Sequence, residues 1–199
     1  MNLYAGLLAR HGKQGWWPLS GVYASKNAAK RLTDDERFEI SVGAILTQNA
    51  SWRNVEAALE NLREVNMLNK DAVLRVDSKR LAHLIRTSVY HNQKAKKLKV
   101  FAQFLDEGRP ITRENLLGLW GVGQETADSI LLYAYKKPVF VVDAYTKRVC
   151  ISRGVLQNDA SYDEVQGMFM RHLPRDYKLF NEFHALFVAE AKGMKSRVI

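Results

Sequence analysis

The sequence predicts an all-α fold, on three observations. Apolar residues recur at three- and four-residue spacing through most of the 199 positions, which is the periodicity of helices with one buried face. Residues that cap helices precede several of these stretches. The one extended apolar run, at 139–142, would be an isolated strand and cannot form a sheet. With 47% hydrophobic and 26% charged residues, the chain can bury the core of a globular protein.

The first helices are predicted by periodicity and by capping residues. An apolar-periodic segment at Met1–Leu8 predicts a short helix. Thr33 and Glu36 have the spacing of a capping box, and the sequence at 38–47 that follows is apolar nearly all round. Such a pattern is typical of a central, buried helix. Ser51 is expected to cap the next helix, whose core-facing stripe is Val55, Ala58, Leu59 and Leu62.

Three further helices are expected in the middle of the chain, at 69–76, 78–86 and 94–106. The last of them carries four lysines, which are Lys94, Lys96, Lys97 and Lys99. Either these lysines form a solvated charged face or some of them contact phosphate. Thr112 can cap the short helix that comes next.

The stretch from Leu116 to Asp143 reads as a helix end, a tight hairpin, a second helix and the extended run. Gly121 and Gly123 bracket Val122, so both flanking positions can take a positive φ. The helix after the hairpin is supported by apolar residues on one face, which are Ala127, Ile130, Leu131 and Ala134. Backbone N–H groups at the N-terminus of such a helix face outward and favour a phosphate.

Three more helical patterns follow. Asp143 is expected to begin its own helix, to about Arg153, as an N-cap. Ser161 and Glu164 form a second capping box. The last helix, at 176–194, ends in a basic tail at 192–197 and has an inward stripe of Phe180, His184, Phe187, Val188 and Ala191.

The composition points to an anionic partner. The 30 basic and 21 acidic residues give a net charge of +9, with a pI near 9.7, which suits nucleic acid or an anionic surface. A general excess of basic surface residues is the alternative explanation. The single cysteine, Cys150, excludes an internal disulfide and any all-cysteine zinc or iron–sulfur site. Without a secretory signal or a membrane-spanning apolar run, we expect a soluble, intracellular protein.

Two short motifs could contact nucleic acid. Trp16 and Trp17 precede Pro18, which disfavours a helix before it, so the pair lies in a loop. One ring is expected to pack in the core, while the other could stack on a base. Gln48 and Asn49 are either plain turn residues or amides that probe the base edges of a duplex.

The residues quoted above also carry a family resemblance. LWGVGQETAD at 119–128 and VFVVDAYTKRV at 139–149 resemble the helix–hairpin–helix, loop and aspartate of the DNA glycosylase superfamily to which endonuclease III belongs. FEISVGAILTQNASW at 38–52 and IRTSVYHNQKAKKLK at 85–99 extend the similarity, which covers about Trp16 to Lys195. The resemblance implies two helical lobes, with DNA and the base pocket in the cleft between them. One lobe would be 35–135, and the other would combine 1–34 with 136–199.

The resemblance also implies roles for particular residues. The damaged nucleotide would be flipped into the cleft, and Asp143 would stabilise positive charge on the sugar and activate water. An N-cap role alone is the other reading of Asp143, and apolar surroundings could raise its pKa. The duplex wedge would come from Gln48 or Asn49. A DNA phosphate would bind the hairpin, whose residues are Leu119, Gly121, Val122, Gly123, Gln124, Glu125 and Thr126. A monovalent cation on carbonyl oxygens of the hairpin could assist this binding.

Departures from the family pattern narrow the expected activity. Glu125 stands where strand-cutting glycosylases place a lysine that attacks the sugar, so a monofunctional glycosylase is expected. The region matching the four-cysteine cluster loop lacks cysteine, so we expect no iron–sulfur cluster and no other metal or cofactor. Ser41 stands near the position where the adenine-mismatch branch carries a catalytic glutamate, which argues against that activity.

What remains resembles the cluster-free alkyl-base branch, the bacterial 3-methyladenine glycosylases of the endonuclease III type. Trp16, Trp17, Pro18 and Trp52 match aromatic-rich segments of that branch. The implied pocket sandwiches a flipped base between aromatic faces, and a cationic alkylated base gains cation–π attraction. Lys192 matches a pocket-side lysine through a C-terminal alignment. The longer insert at 19–35 leaves the position of the tryptophan pair relative to the cleft open.

Three alternatives remain at this stage. The same scaffold could excise another base, such as uracil, mismatched thymine, an oxidised purine or hypoxanthine. A bifunctional lyase could use another lysine, for instance Lys136 or Lys147. A non-catalytic helix–hairpin–helix DNA-binding module is the third, although a pure binder needs no acid at Asp143. In the preferred reading, the protein is a monomer that binds double-stranded DNA containing a damaged base. It is expected in the cytoplasm of a prokaryotic cell, associated with the nucleoid and not with a membrane.

Overall fold

The computed structural model describes residues 2–24 and 30–194, which form an all-α fold as predicted. Within these ranges, Leu19 and Val22 form an isolated β-bridge, and the run at 139–142 is irregular chain. Residues 195–197 of the basic tail lie outside the described part. The first six helices are α1 (Asn2–His11), α2 (Asp34–Leu46), α3 (Trp52–Glu64), α4 (Lys70–Arg75), α5 (Ser78–Leu84) and α6 (His91–Asp106).

The C-terminal half places helices on both sides of the hairpin. Gln124–Ser129 continues directly as a π-helical turn, Ile130–Ala134, so the helix after the hairpin changes its winding midway. Turns of this kind are rare overall, and those that occur are often found at functional sites. The remaining helices are α7 (Arg113–Leu117), α8 (Gln124–Ser129), α9 (Ala144–Ser152), α10 (Tyr162–His172) and α11 (Tyr177–Gly193).

The helix starts predicted from capping residues are confirmed, whereas α6 begins at His91 and not at the predicted position 94. Both capping boxes form, at Thr33 and at Ser161, and the side chains of Ser51, Thr112 and Asp143 accept hydrogen bonds from backbone N–H groups. These side chains satisfy donors that have no partner within their own helix. Capping is a local interaction, which is why the sequence alone located these boundaries.

The predicted central helix is α2, whose residues 38–46 are all buried. It packs against α3, α6, α8 and the π-helical turn. Gly43 brings Trp17 onto this helix, because a Cβ there would lie 2.8 Å from Cζ2 of the indole ring. Glycine therefore lets the tryptophan loop rest directly on the backbone of α2.

Two of the four lysines on α6, Lys94 and Lys99, bind backbone carbonyls of the protein itself and do not belong to a solvated face. The ammonium group of Lys94, which is 2% exposed, donates to Leu46 O at 2.8 Å and to Ser88 O. Burial, with a smaller effect of Lys97, lowers the pKa of Lys94 to about 8. Lys99 likewise donates to carbonyls at the end of α4. These lysines satisfy helix C-terminal carbonyls, while Lys96 is exposed.

A buried carboxylate joins α8 to α7 and α10. Asp128 is 0% exposed, and its oxygens accept hydrogen bonds from Arg113, Tyr162 and Gln166 at 2.7–3.2 Å. Arg113 also lies 3.8 Å from the exposed Asp163. Four polar groups thus satisfy each other inside the protein, as a buried charge requires.

The two ends of the described chain pack together. Helices α1 and α11 are in contact, and Glu190 pairs with Arg10 at 2.8 Å, His11 at 2.6 Å and Arg153 at 2.5 Å. This cluster ties the N-terminal segment to the C-terminal helices. The two-lobe division at 35–135 stays a prediction. No helix in the described part of the chain is long and apolar enough to cross a membrane.

Candidate active site and DNA-binding face

Asp143 follows the buried run at 140–142 and caps α9. Its Oδ1 accepts a hydrogen bond from the backbone N–H of Thr146 at 2.7 Å, as an N-cap acid does. Its Oδ2 lies 3.4 Å from Nε2 of His184. The side chain retains 13% exposure, so part of the carboxylate remains accessible.

The pKa of Asp143 is lowered by a balance of opposing effects. Burial is the largest of these and by itself raises the pKa, because it disfavours the charged carboxylate. The charge that His184 carries when protonated, the polar contact with that ring and the hydrogen bonds from Thr146 outweigh burial. The net effect lowers the pKa, whereas apolar surroundings by themselves would raise it.

His184 and Tyr133 are site residues that sequence reasoning missed. His184 is 7% exposed on α11, and its Nδ1 lies 2.5 Å from the hydroxyl of Tyr133. Tyr133 is 3% exposed and belongs to the π-helical turn. Burial, followed by the charge of Asp143, raises the pKa of Tyr133 well above its usual value. The available signal was a histidine within the apolar stripe of α11.

Glu125 lies in the electrostatic reach of the same carboxylate. Removal of water by surrounding protein atoms raises its pKa first, the negative charge of Asp143 raises it further, and His184 opposes both. The Glu125 side chain is exposed at the surface, although surrounding protein atoms displace part of its water. The first turn of α8 thus carries a carboxylate, and no amine, whose charge interacts with that of Asp143.

The hairpin forms around a single left-handed glycine. Gly121 has φ 78°, whereas Gly123 has φ −94° and caps α8 in an extended conformation. The positive φ that both glycines could adopt is therefore used at Gly121 only, because one such residue suffices to close the turn from Leu119 O to Val122 N at 3.1 Å. Leu119 and Val122 are each 7% exposed and anchor the hairpin in the core.

The structure separates the roles of Gln48 and Asn49. The amide of Gln48 donates to Gly121 O at 3.0 Å and to Thr126 Oγ1 at 2.8 Å, and its oxygen accepts from Lys97. Gln48 therefore holds the hairpin in place. Asn49 is exposed and has φ 52°, the left-handed conformation that asparagine tolerates. A wedge role for either residue stays a prediction, and Gln48 is already engaged.

An aromatic cluster connects the N-terminal loop to the site. Trp17 and Pro18 are buried and Trp16 is partly exposed. The ring centroids of Trp16 and Trp52 are 4.7 Å apart, and those of Trp17 and Tyr133 are 5.0 Å apart. Through Tyr133 the cluster reaches His184 and then Asp143, so the insert at 19–35 does not displace the tryptophans from the site.

The rings of Trp16 and Trp52 are in direct contact in this arrangement, which leaves no space for a base between them. A base that stacked here would use an outer face of Trp16 or would require the rings to separate. The aromatic base pocket stays a prediction.

The lysines considered as a pocket residue or as lyase nucleophiles make other contacts or lie at the surface. Lys192 is exposed near the end of α11, and its pocket role stays a prediction. Lys147 donates to Ala160 O at 2.6 Å, and Lys136 donates to Lys30 O. The two alternative lyase nucleophiles are thus held by backbone carbonyls. Gln124, the remaining hairpin side chain, donates to Asp163 at 2.8 Å.

A cluster of four thiolates cannot be built from this chain, because Cys150 is its single cysteine. Cys150 is buried, and burial raises the pKa of its thiol to about 12. The donor set of an iron–sulfur centre therefore does not fit this protein.

Comparison with known proteins supplies the wider context of this geometry. Residues 42–175 match the family described as HhH-GPD superfamily base excision DNA repair protein. A protein of Methanocaldococcus jannaschii that is named as a candidate DNA repair glycosylase is 41% identical over 204 residues, which span 96% of this chain and 86% of the relative.

Solved structures share the same architecture. The H. pylori 3-methyladenine DNA glycosylase bound to 1,N6-ethenoadenine matches with a TM-score of 0.77 and 28% identity, over 96% of both chains. A non-covalent endonuclease III–DNA complex matches with a TM-score of 0.78 and 18% identity, over 98% of this chain and 86% of that one. At that identity the second likeness shows the fold alone.

Proposed function

Because the chain belongs to the HhH-GPD superfamily and is a DNA glycosylase of base excision repair, we propose that it is monofunctional and releases alkylated, 3-methyladenine-like bases. The observation that carries the proposal is the residue at position 125: Glu125 lies in the first turn of α8, directly after the hairpin, and its carboxyl group interacts electrostatically with Asp143. The position from which a lyase would direct an amine at the sugar holds a carboxylate instead.

The chemistry assigns Asp143 two tasks. Breaking the N-glycosidic bond builds positive charge on the sugar, and the carboxylate stabilises that charge. A water molecule then forms the new bond to the anomeric carbon and gives its proton to Asp143. The base leaves with the bonding electron pair. A base made cationic by alkylation leaves as a neutral molecule, so the pocket need not protonate it.

The absence of an amine nucleophile supports hydrolysis over strand cleavage. A lyase forms a Schiff base between a lysine and the sugar. Lys136 and Lys147 donate to backbone carbonyls, and neither occupies the position of Glu125. The product is then an intact strand with an abasic site.

The base specificity is proposed from the aromatic cluster and from one relative. The structure of the H. pylori enzyme, named a 3-methyladenine DNA glycosylase, holds 1,N6-ethenoadenine. The cluster of Trp16, Trp17 and Trp52 supplies π faces, which attract a cationic base more strongly than a neutral one.

We assign DNA binding to the hairpin and the neighbouring loop. Amides around Val122–Glu125 would hold a backbone phosphate, and the exposed Asn49 would fill the space of the flipped base. We further propose that the protein acts as a monomer, without an iron–sulfur cluster, on double-stranded DNA that contains a damaged base. A monovalent cation on hairpin carbonyls remains part of the proposal.

The proposal is tested on duplex oligonucleotides carrying 3-methyladenine, 7-methylguanine, hypoxanthine, uracil or 8-oxoguanine. We expect release of the methylated purines, with strand breaks only after hot alkali, and no covalent adduct on borohydride reduction. The matched variant Glu125→Lys places an amine at the lyase position and is expected to give a trappable adduct, because the amine can attack the sugar.

Each other result selects an alternative. Release of uracil, hypoxanthine or 8-oxoguanine without methylated purines would assign another specificity. Strand breaks without alkali, or an adduct with the wild-type protein, would establish a bifunctional enzyme. If no base is released while the duplex is still bound, the protein is a binding module.

The separate roles of Asn49 and Gln48 give a second prediction. Asn49→Ala is expected to lower the single-turnover excision rate about 10-fold, because the flipped state loses the side chain that replaces the base. Its affinity for a duplex with an abasic analogue should change little. Gln48→Ala should weaken binding both to the duplex with the damaged base and to the duplex with the abasic analogue, because the hairpin loses two hydrogen bonds. Asn158→Ala, at an exposed site between α9 and α10, is the control. Equal behaviour of the two variants would contradict the division.

A further inference from the structure

We propose that His184 is a positioning residue for Asp143, with its Nε2–H directed at Oδ2 of the carboxylate and its Nδ1 held by the hydroxyl of Tyr133. This inference rests on the proposed catalytic role of Asp143. It adds a group that does not touch the DNA and acts on the reaction through the orientation of the carboxylate.

The hydrogen bond to Tyr133 determines which nitrogen of His184 carries the proton. Nδ1 lies 2.5 Å from the hydroxyl, and both side chains are buried. A phenol donates readily to an imidazole nitrogen, and the neutral ring then carries its hydrogen on the other nitrogen. The tautomer with Nε2–H is therefore favoured, and Nε2 is the ring nitrogen that lies 3.4 Å from Oδ2 of Asp143.

The Nε2 atom has a reason to approach the carboxylate. It is buried, and within the described ranges no acceptor meets the geometry of a hydrogen bond to it. A buried N–H without an acceptor is costly, and Oδ2 of Asp143 lies 3.4 Å away. A small side-chain adjustment converts this approach into a hydrogen bond of normal length.

Two contacts then fix the orientation of the carboxylate. Thr146 N–H holds Oδ1 at 2.7 Å, and His184 holds Oδ2. With one contact the carboxylate can still rotate about its Cβ–Cγ bond, and with two it cannot. The accessible edge of Asp143 is thereby presented in one direction, which is what stabilising charge at a defined sugar carbon requires.

The test compares two replacements of His184 in release of 3-methyladenine from methylated duplex DNA under single-turnover conditions. His184→Leu removes the donor and is expected to slow excision about 10- to 30-fold, because the carboxylate is no longer held. His184→Gln keeps an N–H near the position of Nε2 and should stay within about 3-fold of wild type, because the contact survives. Affinity for the duplex should not change in either.

The conservative variant separates positioning from a merely structural role. Glutamine restores only the N–H, so recovery of the excision rate in His184→Gln at unchanged duplex affinity assigns the loss in His184→Leu to the missing contact with Asp143. Tyr133→Phe removes the hydroxyl that sets the tautomer of His184 and is expected to slow excision about 3-fold. His172→Leu, at an exposed histidine of α10, should match wild type in rate.

The results distinguish this inference from the proposed function. If Asp143→Asn excises normally, or wild type releases no 3-methyladenine, the proposed function fails and the inference fails with it. If Asp143→Asn is inactive but His184→Leu keeps the wild-type rate, only the inference fails. If His184→Leu does not fold, a folded His184→Gln variant that is slowed by more than about 10-fold at unchanged duplex affinity overturns the proposal.

Discussion

Replacing Asp143 with asparagine is expected to lower base excision by at least about 10³-fold, because a neutral amide neither stabilises the cationic sugar nor accepts a proton from water. Asparagine is as good an N-cap as aspartate, so it keeps the hydrogen bond from Thr146. The variant should fold and bind damaged duplex as wild type does. Single-turnover release of a methylated base, with the dissociation constant measured alongside, checks this prediction.

Asp176→Asn is the matched control. Asp176 is also an N-cap aspartate, on α11, where it accepts from the backbone N–H of Lys178. This variant should retain full excision, which would show that the loss at Asp143 comes from chemistry and not from helix capping. An Asp143→Asn protein within 10-fold of the wild-type rate, on the scale expected for a catalytic group, would contradict the assignment.

Removal of the Asp128 carboxylate should cause the largest loss of stability. Asp128→Ala leaves Arg113, Tyr162 and Gln166 without the acceptor that they share. Breaking a buried ion pair from one side costs about 3–5 kcal/mol of unfolding free energy. Asp128 is 0% exposed, while Arg113 is about one-third exposed and can regain water, so we expect the lower end of this range. Urea-induced unfolding measures the change.

The chain offers a control that uses the same arginine. Asp163 lies 3.8 Å from Arg113 but is 71% exposed, and exposed ion pairs contribute little to stability. Asp163→Ala should therefore change the unfolding free energy by less than about 0.5 kcal/mol. Similar losses from the two aspartates would show that burial does not govern this network.

The position of Glu125 gives the site an unusual balance of charge. Its pKa is raised, whereas that of Asp143 is lowered. Two carboxylates whose surroundings push their pKa values apart can perform different tasks. In the proposed reaction, Asp143 would supply the charge that faces the sugar, and Glu125 would occupy the lyase position without supplying a nucleophile.

Local features of the chain were predictable because their causes are local. The capping boxes at Thr33 and Ser161 formed because their donors and acceptors are three residues apart. The burial of residues 38–46 followed from an apolar sequence with no polar face. The hairpin and the acid twenty residues beyond it were visible as a spacing in the sequence, and the family match at 42–175 includes both.

The misassigned residues depend on partners distant in the sequence. Lys94 reaches a carbonyl 48 positions away, and Gln48 reaches Thr126, 78 positions away. A lysine-rich helix face and a polar turn carry no sign of these partners. The π-helical turn that brings Tyr133 to His184 was likewise hidden, because its apolar sequence suits an ordinary helix equally well.

The sequence by itself determined the helices, most of their caps and the position of the hairpin, because periodicity and short spacings encode them, while its resemblance to a known family pointed to Asp143. Only the tertiary structure decided the environment of that acid. Burial, the His184 ring and the Thr146 amide together set its pKa, and these groups meet only when α9 and α11 pack. Electrostatic energies depend on distance and on exclusion of water, and neither quantity exists until the chain has folded.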